Sequence, residues 1–240
     1  MNTKTLAAAL LLFGSAVAAS TQAAPVAVNY GDIILGFETT GGNASGGTQN
    51  LLIDLGSYSG LASFTHINIA SDLSAVFGLG WSNSVSYGAY GTAFVVHWTQ
   101  NYLTAPSGQS VFNPLSTGNT SAKTDSKSLY DLYNLQLTNG VTTADGITSS
   151  STALGAWSTF TPGISPFGVS ADQNIETTLG TSLNLFDRSY SPNTVTTAPY
   201  TILVDAAGNL SVSAVPEPST YALFGLAALV FGIALRRRDA

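Results

Sequence analysis

The sequence predicts an all-β fold, an antiparallel β-sandwich-like single domain with one or two short helices. Three observations support this prediction. Short runs rich in Ile, Leu, Val, Phe and Tyr recur along the chain, and turn-forming residues separate them at intervals of about 8–12 positions. Helical spacing occurs in only two short stretches. The segment 25–214 is long enough for one domain with a sizeable core.

The first half of this domain is predicted to contain paired strands. Ile33–Thr39 and Asn50–Leu55 flank a glycine-rich stretch, so we expect a hairpin. Residues 64–70 read as a further strand. Residues 85–99 have the strongest β pattern, and we expect two strands there with a break at Gly88–Gly91.

A short helix is predicted at residues 71–78. Ser71 is placed to cap its beginning, Asp72 lies in its first turn, and Gly78 can end it. The helix would pack one apolar stripe against the strands.

The second half begins with a long polar loop, residues 105–126. A short helix is expected next, within 126–138, followed by a hairpin turn at Asn139-Gly140 that leads into Val141. Residues 182–190 are predicted to form a strand. The final hairpin is the clearest, with a turn at Asp205–Asn209 between two β-rich runs.

The N-terminus, residues 1–24, has the pattern of a secretory signal peptide. Lys4 precedes an apolar run from Leu6 to Phe13, and small residues follow. Cleavage is expected between Ala19 and Ala24, and the body of the protein would then be exported. An uncleaved anchor is the alternative reading.

The C-terminus has the pattern of a membrane anchor. Tyr221–Leu235 carries no charge, and a helix there would span roughly 22 Å, which is short for a hydrocarbon core of about 30 Å. Arg236, Arg237 and Arg238 follow, and the positive-inside rule keeps them in the cytoplasm. We therefore predict a transmembrane helix at about 221–235, with a buried core helix as the alternative.

The segment before this helix is Val215, Pro216, Glu217 and Pro218. Two prolines separated by one residue disfavour both helix and central strand, so Glu217 is expected in an exposed, extended chain. Such a chain is accessible to a processing enzyme. In combination with the apolar helix and the three arginines, residues 215–240 resemble a PEP-CTERM sorting signal.

The resemblance implies a place and a partner. The protein would be exported in a Gram-negative bacterium, held first as an inner-membrane precursor, and processed near the motif by an exosortase. It would then reach the periplasm, the cell surface or the extracellular matrix. Proteins with this signal are associated with exopolysaccharide and biofilm, so a polysaccharide is a further expected partner.

Composition excludes several classes of function. The segment 25–214 has eleven acidic and only three basic residues, which argues against binding to nucleic acid or anionic lipid. The chain has no cysteine, so thiolate zinc sites and cysteine nucleophiles are ruled out. We expect no cofactor.

Aromatic residues supply one candidate binding surface. Trp81, Tyr90 and Trp98 lie near one another in the sequence, and aromatic faces can stack on sugar rings. A carbohydrate-binding module would expose them to solvent. Ordinary core packing would bury them instead.

Carboxylates supply the candidates for catalysis and for a metal. Asp32, Glu38 and Asp54 would converge if their strands pair, as a glycoside hydrolase requires. The two histidines, His66 and His97, offer a second route through a His97–carboxylate pair. Finally, Asp172, Asn174 and Glu176 alternate in a way that suits Ca²⁺, with a solvated acidic loop as the alternative. No other metal site is predicted.

The sequence thus favours an exported, non-enzymatic surface or matrix protein. A carbohydrate-binding module is the first alternative, and a glycoside hydrolase-like enzyme is the second.

Overall fold

The computed structural model describes residues 24–39, 48–64, 66–95, 98–106, 119–154, 156–160, 175–190, 193–195 and 199–215. The predicted signal peptide, apart from Ala24, and the predicted sorting segment, apart from Val215, lie outside these residues.

Eleven described strands form a single antiparallel sheet, whose path runs in the order β3-β11-β10-β8-β5-β4-β1-β2-β6. Two short strands lie off this path, since β7 pairs with β4 and β9 pairs with β8. The strands are β1 (Asp32–Thr39), β2 (Gln49–Ser57), β3 (Ile67–Asn68), β4 (Val85–Val95), β5 (Trp98–Pro106), β6 (Ile147–Ser150), β7 (Glu176–Thr178), β8 (Leu183–Tyr190), β9 (Asn193–Val195), β10 (Tyr200–Val204) and β11 (Asn209–Ala214).

The all-β prediction is confirmed in its strand content and antiparallel pairing, but the sandwich is wrong. The sheet curls into a half-barrel, and helices take the place of a second sheet. Three helices are described: α1 (Ala70–Phe77), α2 (Asn119–Thr138) and α3 (Trp157–Phe160). Two 3-10 turns, Tyr58–Ser63 and Trp81–Asn83, complete the described elements.

Side chains alternate between the two faces of the sheet and build a separate apolar cluster on each. On β1, Ile33 and Phe37 belong to the cluster that includes Leu73 and Phe77 of α1. Ile34 belongs to the cluster that includes α2 and α3. We call these the α1 face and the α2 face.

Helix α1 confirms the predicted helix within one residue at each end. Asp72 lies in its first turn, and Gly78 follows its last residue with φ 76°. The predicted cap is wrong, because Ser71 lies inside the helix and the residue before the helix is Ile69. At the helix start, Asn68 Oδ1 accepts a hydrogen bond from Ala70 N (3.1 Å). Asp72 turns instead to a distant loop, where it accepts hydrogen bonds from Thr143 Oγ1 (3.0 Å) and Asp145 N (2.9 Å).

Strand β4 runs without interruption, so the predicted break at Gly88–Gly91 is wrong. Both glycines mark close approaches within the fold. A Cβ at Gly88 would lie 2.7 Å from the carbonyl oxygen of Ile175, and one at Gly91 would lie 2.8 Å from that of Asp32. Glycine is required there by the neighbouring backbone and not by a turn.

Helix α2 is longer than predicted, since it takes in part of the expected polar loop. Leu129 and Leu132 pack on the α2 face, together with Tyr130 and Tyr133. This burial outweighs the weak helical pattern of the polar half. Asn139-Gly140 ends the helix and does not form the predicted hairpin turn. Gly140 has φ 71°, and its N–H donates to Leu137 O (3.1 Å).

The other two predicted hairpins are present. β1 pairs with β2, and β10 pairs with β11. In the second turn, Asp205 Oδ1 accepts hydrogen bonds from Ala207 N (2.8 Å) and Asn209 N (2.9 Å). The strand predicted at 64–70 shortens to β3, whose two residues pair with the start of β11.

In the part of the chain that the structure describes, no helix is both long and apolar enough to cross a membrane. The span predicted at 221–235 lies outside that part.

Candidate functional site

Two glutamates meet on the α2 face. Glu38 of β1 lies opposite Ser86 on one edge of β4, and Glu176 of β7 lies opposite Gly88 on the other edge. Ser86 and Gly88 are small, so the two longer side chains can reach across β4. The carboxyl groups of Glu38 and Glu176 are hydrogen-bonded to each other.

Trp157 of α3 covers this pair. Its Nε1 donates to Glu176 Oε1 at 2.6 Å, and Ser86 Oγ donates to the same oxygen at 3.5 Å. Glu176 is 7% exposed. The Trp157 ring in turn lies against Gly36, where a Cβ would come within 1.8 Å of Cδ2.

Burial is the largest cause that raises the pKa of Glu176 to about 8; the charge and hydrogen bond of Glu38 contribute to the rise, and the hydrogen bonds from Trp157 and Ser86 oppose it. The pair can therefore hold one proton at neutral pH. A glycosidase needs its carboxyls about 5 Å or more apart. The direct hydrogen bond between Glu38 and Glu176 is a different arrangement.

Two aspartates approach each other under α2, in partial agreement with the sequence. Asp32 and Asp54 interact electrostatically, whereas Glu38 joins Glu176. Burial raises the pKa of Asp54 to about 6; the hydrogen bond from Gly56 N (2.7 Å) opposes the rise, and the charge of Asp32 adds to it. Among the described residues, no three His, Cys, Asp or Glu side chains form a metal-ligand group.

Tyrosines of α2 lie beside these aspartates. Tyr130 donates its hydroxyl to Asp32 O (2.6 Å) and accepts from Thr92 N (2.9 Å), so it joins α2 to β1 and β4. The Tyr133 hydroxyl is buried and has no hydrogen-bond partner within the described structure.

A cluster of aromatic and polar side chains lies at the rim of the α1 face, and the sequence analysis did not predict it. Tyr58 stacks on Tyr102 at 4.1 Å between ring centroids, and Tyr200 meets Tyr58 edge-on at 5.5 Å. Gln100 Nε2 donates to both oxygens of Asp187 at 2.7 Å. These residues come from four distant stretches of chain, so no local pattern could have found them.

The structure does not support an exposed aromatic platform at the residues predicted to stack on glycans. Trp81 is 8% exposed and Tyr90 is 1% exposed. Each is tied into the core, since Trp81 Nε1 donates to Ser74 Oγ (2.9 Å) and the Tyr90 hydroxyl donates to Asn101 Oδ1 (2.8 Å). Trp98 begins β5, and its side chain lies outside the described structure.

The remaining predicted residues are divided between described and undescribed parts of the chain. Of the calcium candidates, Asp172 and Asn174 lie outside the described residues, and Glu176 is bonded to Trp157. His97 also lies outside, as do Pro216, Glu217 and Pro218 of the sorting motif and Arg236, Arg237 and Arg238 of the basic cluster. His66 lies between the first 3-10 turn and β3.

A polar cleft of about 330 Å³ lies beside the edge strand β6. Its lining residues are Thr48, Gln49, Gln136, Val141, Thr148, Ser149 and Ser150. These described residues supply four hydroxyl groups and two amides, and none of them has a charged side chain.

The last described residue is Val215, directly after β11. It is 41% exposed, and its N–H donates to Pro199 O at 2.8 Å. Pro216 follows and has no N–H to continue such pairing. The described fold therefore ends where the proline motif begins.

Comparison with known proteins identifies this C-terminal segment. Residues 214–238 match the family model for the PEP-CTERM protein-sorting motif. The chain carries this sorting motif, as the sequence indicated. The motif implies an exported, membrane-anchored precursor in a Gram-negative bacterium, processed by an exosortase. No curated protein matches the chain, and no solved structure matches it.

Proposed function

We propose that this chain is a non-enzymatic protein of the cell surface or extracellular matrix, linked to exopolysaccharide or biofilm and released by cutting at its C-terminal sorting signal. A signal peptide at residues 1–24 directs export of the segment 25–214. The helix at about 221–235 holds the precursor in the inner membrane until the exosortase acts.

The single observation that carries this proposal is the junction between the fold and the sorting motif. The motif match starts at residue 214, the last residue of β11. One edge of β11 pairs with β10, and on the other edge only its first two residues pair with β3. The last residues of β11 therefore have no partner strand on that edge in the described sheet, and they are exposed and extended. A cut at Pro216-Glu217-Pro218 would release the sheet without removing any of the described strands.

Hydrogen bonds made by three acidic side chains support a structural role. Asp72 holds the 143–145 loop, Asp205 holds the turn of the last hairpin, and Glu176 accepts from Trp157. Each of these carboxyls is engaged in hydrogen bonds that join elements of the fold. A glycoside hydrolase-like activity at the Glu38–Glu176 pair would have to use these carboxyls from under Trp157.

The test of export replaces Pro216-Glu217-Pro218 by three alanines in cells that contain the exosortase. We expect the membrane-anchored precursor to accumulate, as followed by fractionation, and mass spectrometry of the released native protein to give both mature ends. Ser213→Ala, which leaves the motif intact, is the matched control. Normal release of the alanine variant would refute the sorting role of the motif.

The non-enzymatic role is tested with the double variant Glu38→Gln/Glu176→Gln. In a strain that lacks the native protein, we expect the folded variant to restore biofilm mass as well as the native chain does. Loss of that ability, with unchanged release and a native circular dichroism spectrum, would favour the enzyme.

A further inference from the structure

We propose that the polar cleft beside β6 binds a neutral, hydroxyl-rich ligand, namely one ring or a terminal unit of an uncharged sugar. The proposal goes beyond export, because the chemistry of the cleft carries it and the sorting motif does not.

The end of α2 builds the cleft. After the helix ends at Thr138, the chain turns at Gly140 and runs back beside β6. Thr148 N donates to Val141 O (3.2 Å), and Thr142 forms a bridge with Ile147. This return holds Val141, and Gln136 of α2, against the edge of the sheet, where they line the cleft with Thr48 and Gln49 of the β2 side.

A buried hydroxyl in the lining indicates a ligand. Ser149 is 4% exposed, and its Oγ has no hydrogen-bond partner in the described structure. Buried polar side-chain atoms are hydrogen-bonded in the large majority of cases. A sugar hydroxyl can both donate to and accept from such a group, as it can with the side-chain amides of Gln49 and Gln136.

The same lining disfavours other ligands. Among the described lining residues there is no cation for a phosphate or carboxylate and no carboxylate for a metal ion. An apolar ligand would leave the hydroxyls and amides unpaired. A peptide strand could not add to β6 at Thr148, because that N–H is already bonded to Val141. The volume, about 330 Å³, lies at the small end of ligand pockets.

Saturation-transfer NMR on the full chain tests the proposal. The protein is held in a zwitterionic detergent, since glycoside detergents would compete, and is titrated with the methyl glycosides of glucose, galactose and mannose. We expect at least one glycoside to receive saturation, with a dissociation constant in the millimolar range. Glucuronate and a neutral dipeptide amide should receive none.

Variants locate the binding. Ser149→Ala and Gln136→Leu each remove one hydrogen-bonding group and should weaken glycoside binding about threefold to tenfold. Ser213→Ala removes a strand hydroxyl outside the cleft and should leave binding unchanged. Ser149→Ala should keep or raise the unfolding midpoint, because it deletes a buried hydroxyl that has no partner, so weaker binding would not reflect unfolding.

Three outcomes would overturn the proposal. The first is that none of the glycosides receives saturation, and the second is that binding is unaffected by both cleft variants. The third is binding of the dipeptide amide in preference to every glycoside, which would assign the cleft to a peptide. None of these outcomes bears on processing at the sorting motif.

Discussion

The two faces of the sheet differ in whether their buried polar atoms have hydrogen-bond partners. The buried cluster of the α1 face satisfies its few polar atoms, as where the Tyr87 hydroxyl donates to Thr181 O (2.5 Å) and accepts from Val204 N (3.2 Å). The α2 face buries Glu176 and holds all three buried side-chain atoms that lack partners in the described structure, those of Asn101, Tyr133 and Ser149.

This difference suggests that one face mainly stabilises the fold and that the other face carries the functional groups. A face that buries only satisfied groups contributes mainly through apolar burial, which is insensitive to pH. A face that buries acids with a raised pKa, and that also buries hydroxyls without a partner, is less stable than a fully satisfied one. Such features concentrate at functional sites. We therefore expect ligand binding and pH dependence on the α2 face.

The largest expected effect comes from removing one aromatic ring on each face. Phe77→Ala on the α1 face and Trp157→Ala on the α2 face should each cost about 3–5 kcal/mol of unfolding free energy. Trp157→Ala should be the more costly, because it also leaves Glu176 without its indole donor. Urea unfolding measures both. A cost below about 1 kcal/mol for Trp157→Ala would mean that the α2 face is not part of the cooperative core.

The next effect is a dependence on pH that belongs to the α2 face. The pKa of Glu176 is about 8 in the folded chain against 4.5 for the free side chain, so folding favours its protonated form. Its contribution to stability is complete below about pH 4.5 and is lost progressively as pH rises from there through about 8.

Urea unfolding across this pH range checks the sign. Glu176→Gln mimics the protonated acid and should flatten the loss of stability between about pH 4.5 and pH 8, whereas Asp131→Asn, at an exposed helix position paired with Lys127, should leave that loss unchanged. An unchanged slope over this pH range in Glu176→Gln would assign the titration to another group.

The smallest of the three effects concerns the fit between β1 and α3. Gly36→Ala places a methyl group against the Trp157 ring and should cost about 1–3 kcal/mol, because the ring must move. Gly60→Ala, whose Cβ would lie 3.2 Å from Ser57 Oγ, is the matched control and should cost little. The cost of Gly36→Ala should also shrink when Trp157 is already Ala, since the clash is then absent.

Local sequence patterns correctly predicted the elements for which local preference and tertiary packing favour the same secondary structure. The hairpins β1–β2 and β10–β11 and the helix α1 all lie where turn residues border apolar runs, so short-range preferences and tertiary packing favour the same structure. The prediction failed at β4 because glycine was taken for a break. Gly88 is there to let the backbone of Ile175 approach, and a contact between residues so distant in sequence leaves no local signal.

The candidate sites show the same limit. Asp32 and Asp54 were paired correctly because their strands are neighbours in sequence and form a hairpin. Glu38 was assigned to the wrong partner, since β7 lies far along the chain and joins β4 on the edge opposite β1. The cleft beside β6 was not foreseen, because it depends on how α2 ends against a strand.

The sequence alone determined the sorting motif of this protein and the strand content of its body. A sorting motif acts as an extended, local signal that a processing enzyme reads, and strand preference is local too. Only the tertiary structure decided that the strands form one curled sheet, that Glu38 meets Glu176, and that Ser149 faces a polar cleft. These features depend on burial and on contacts between distant residues, which no short stretch of sequence specifies.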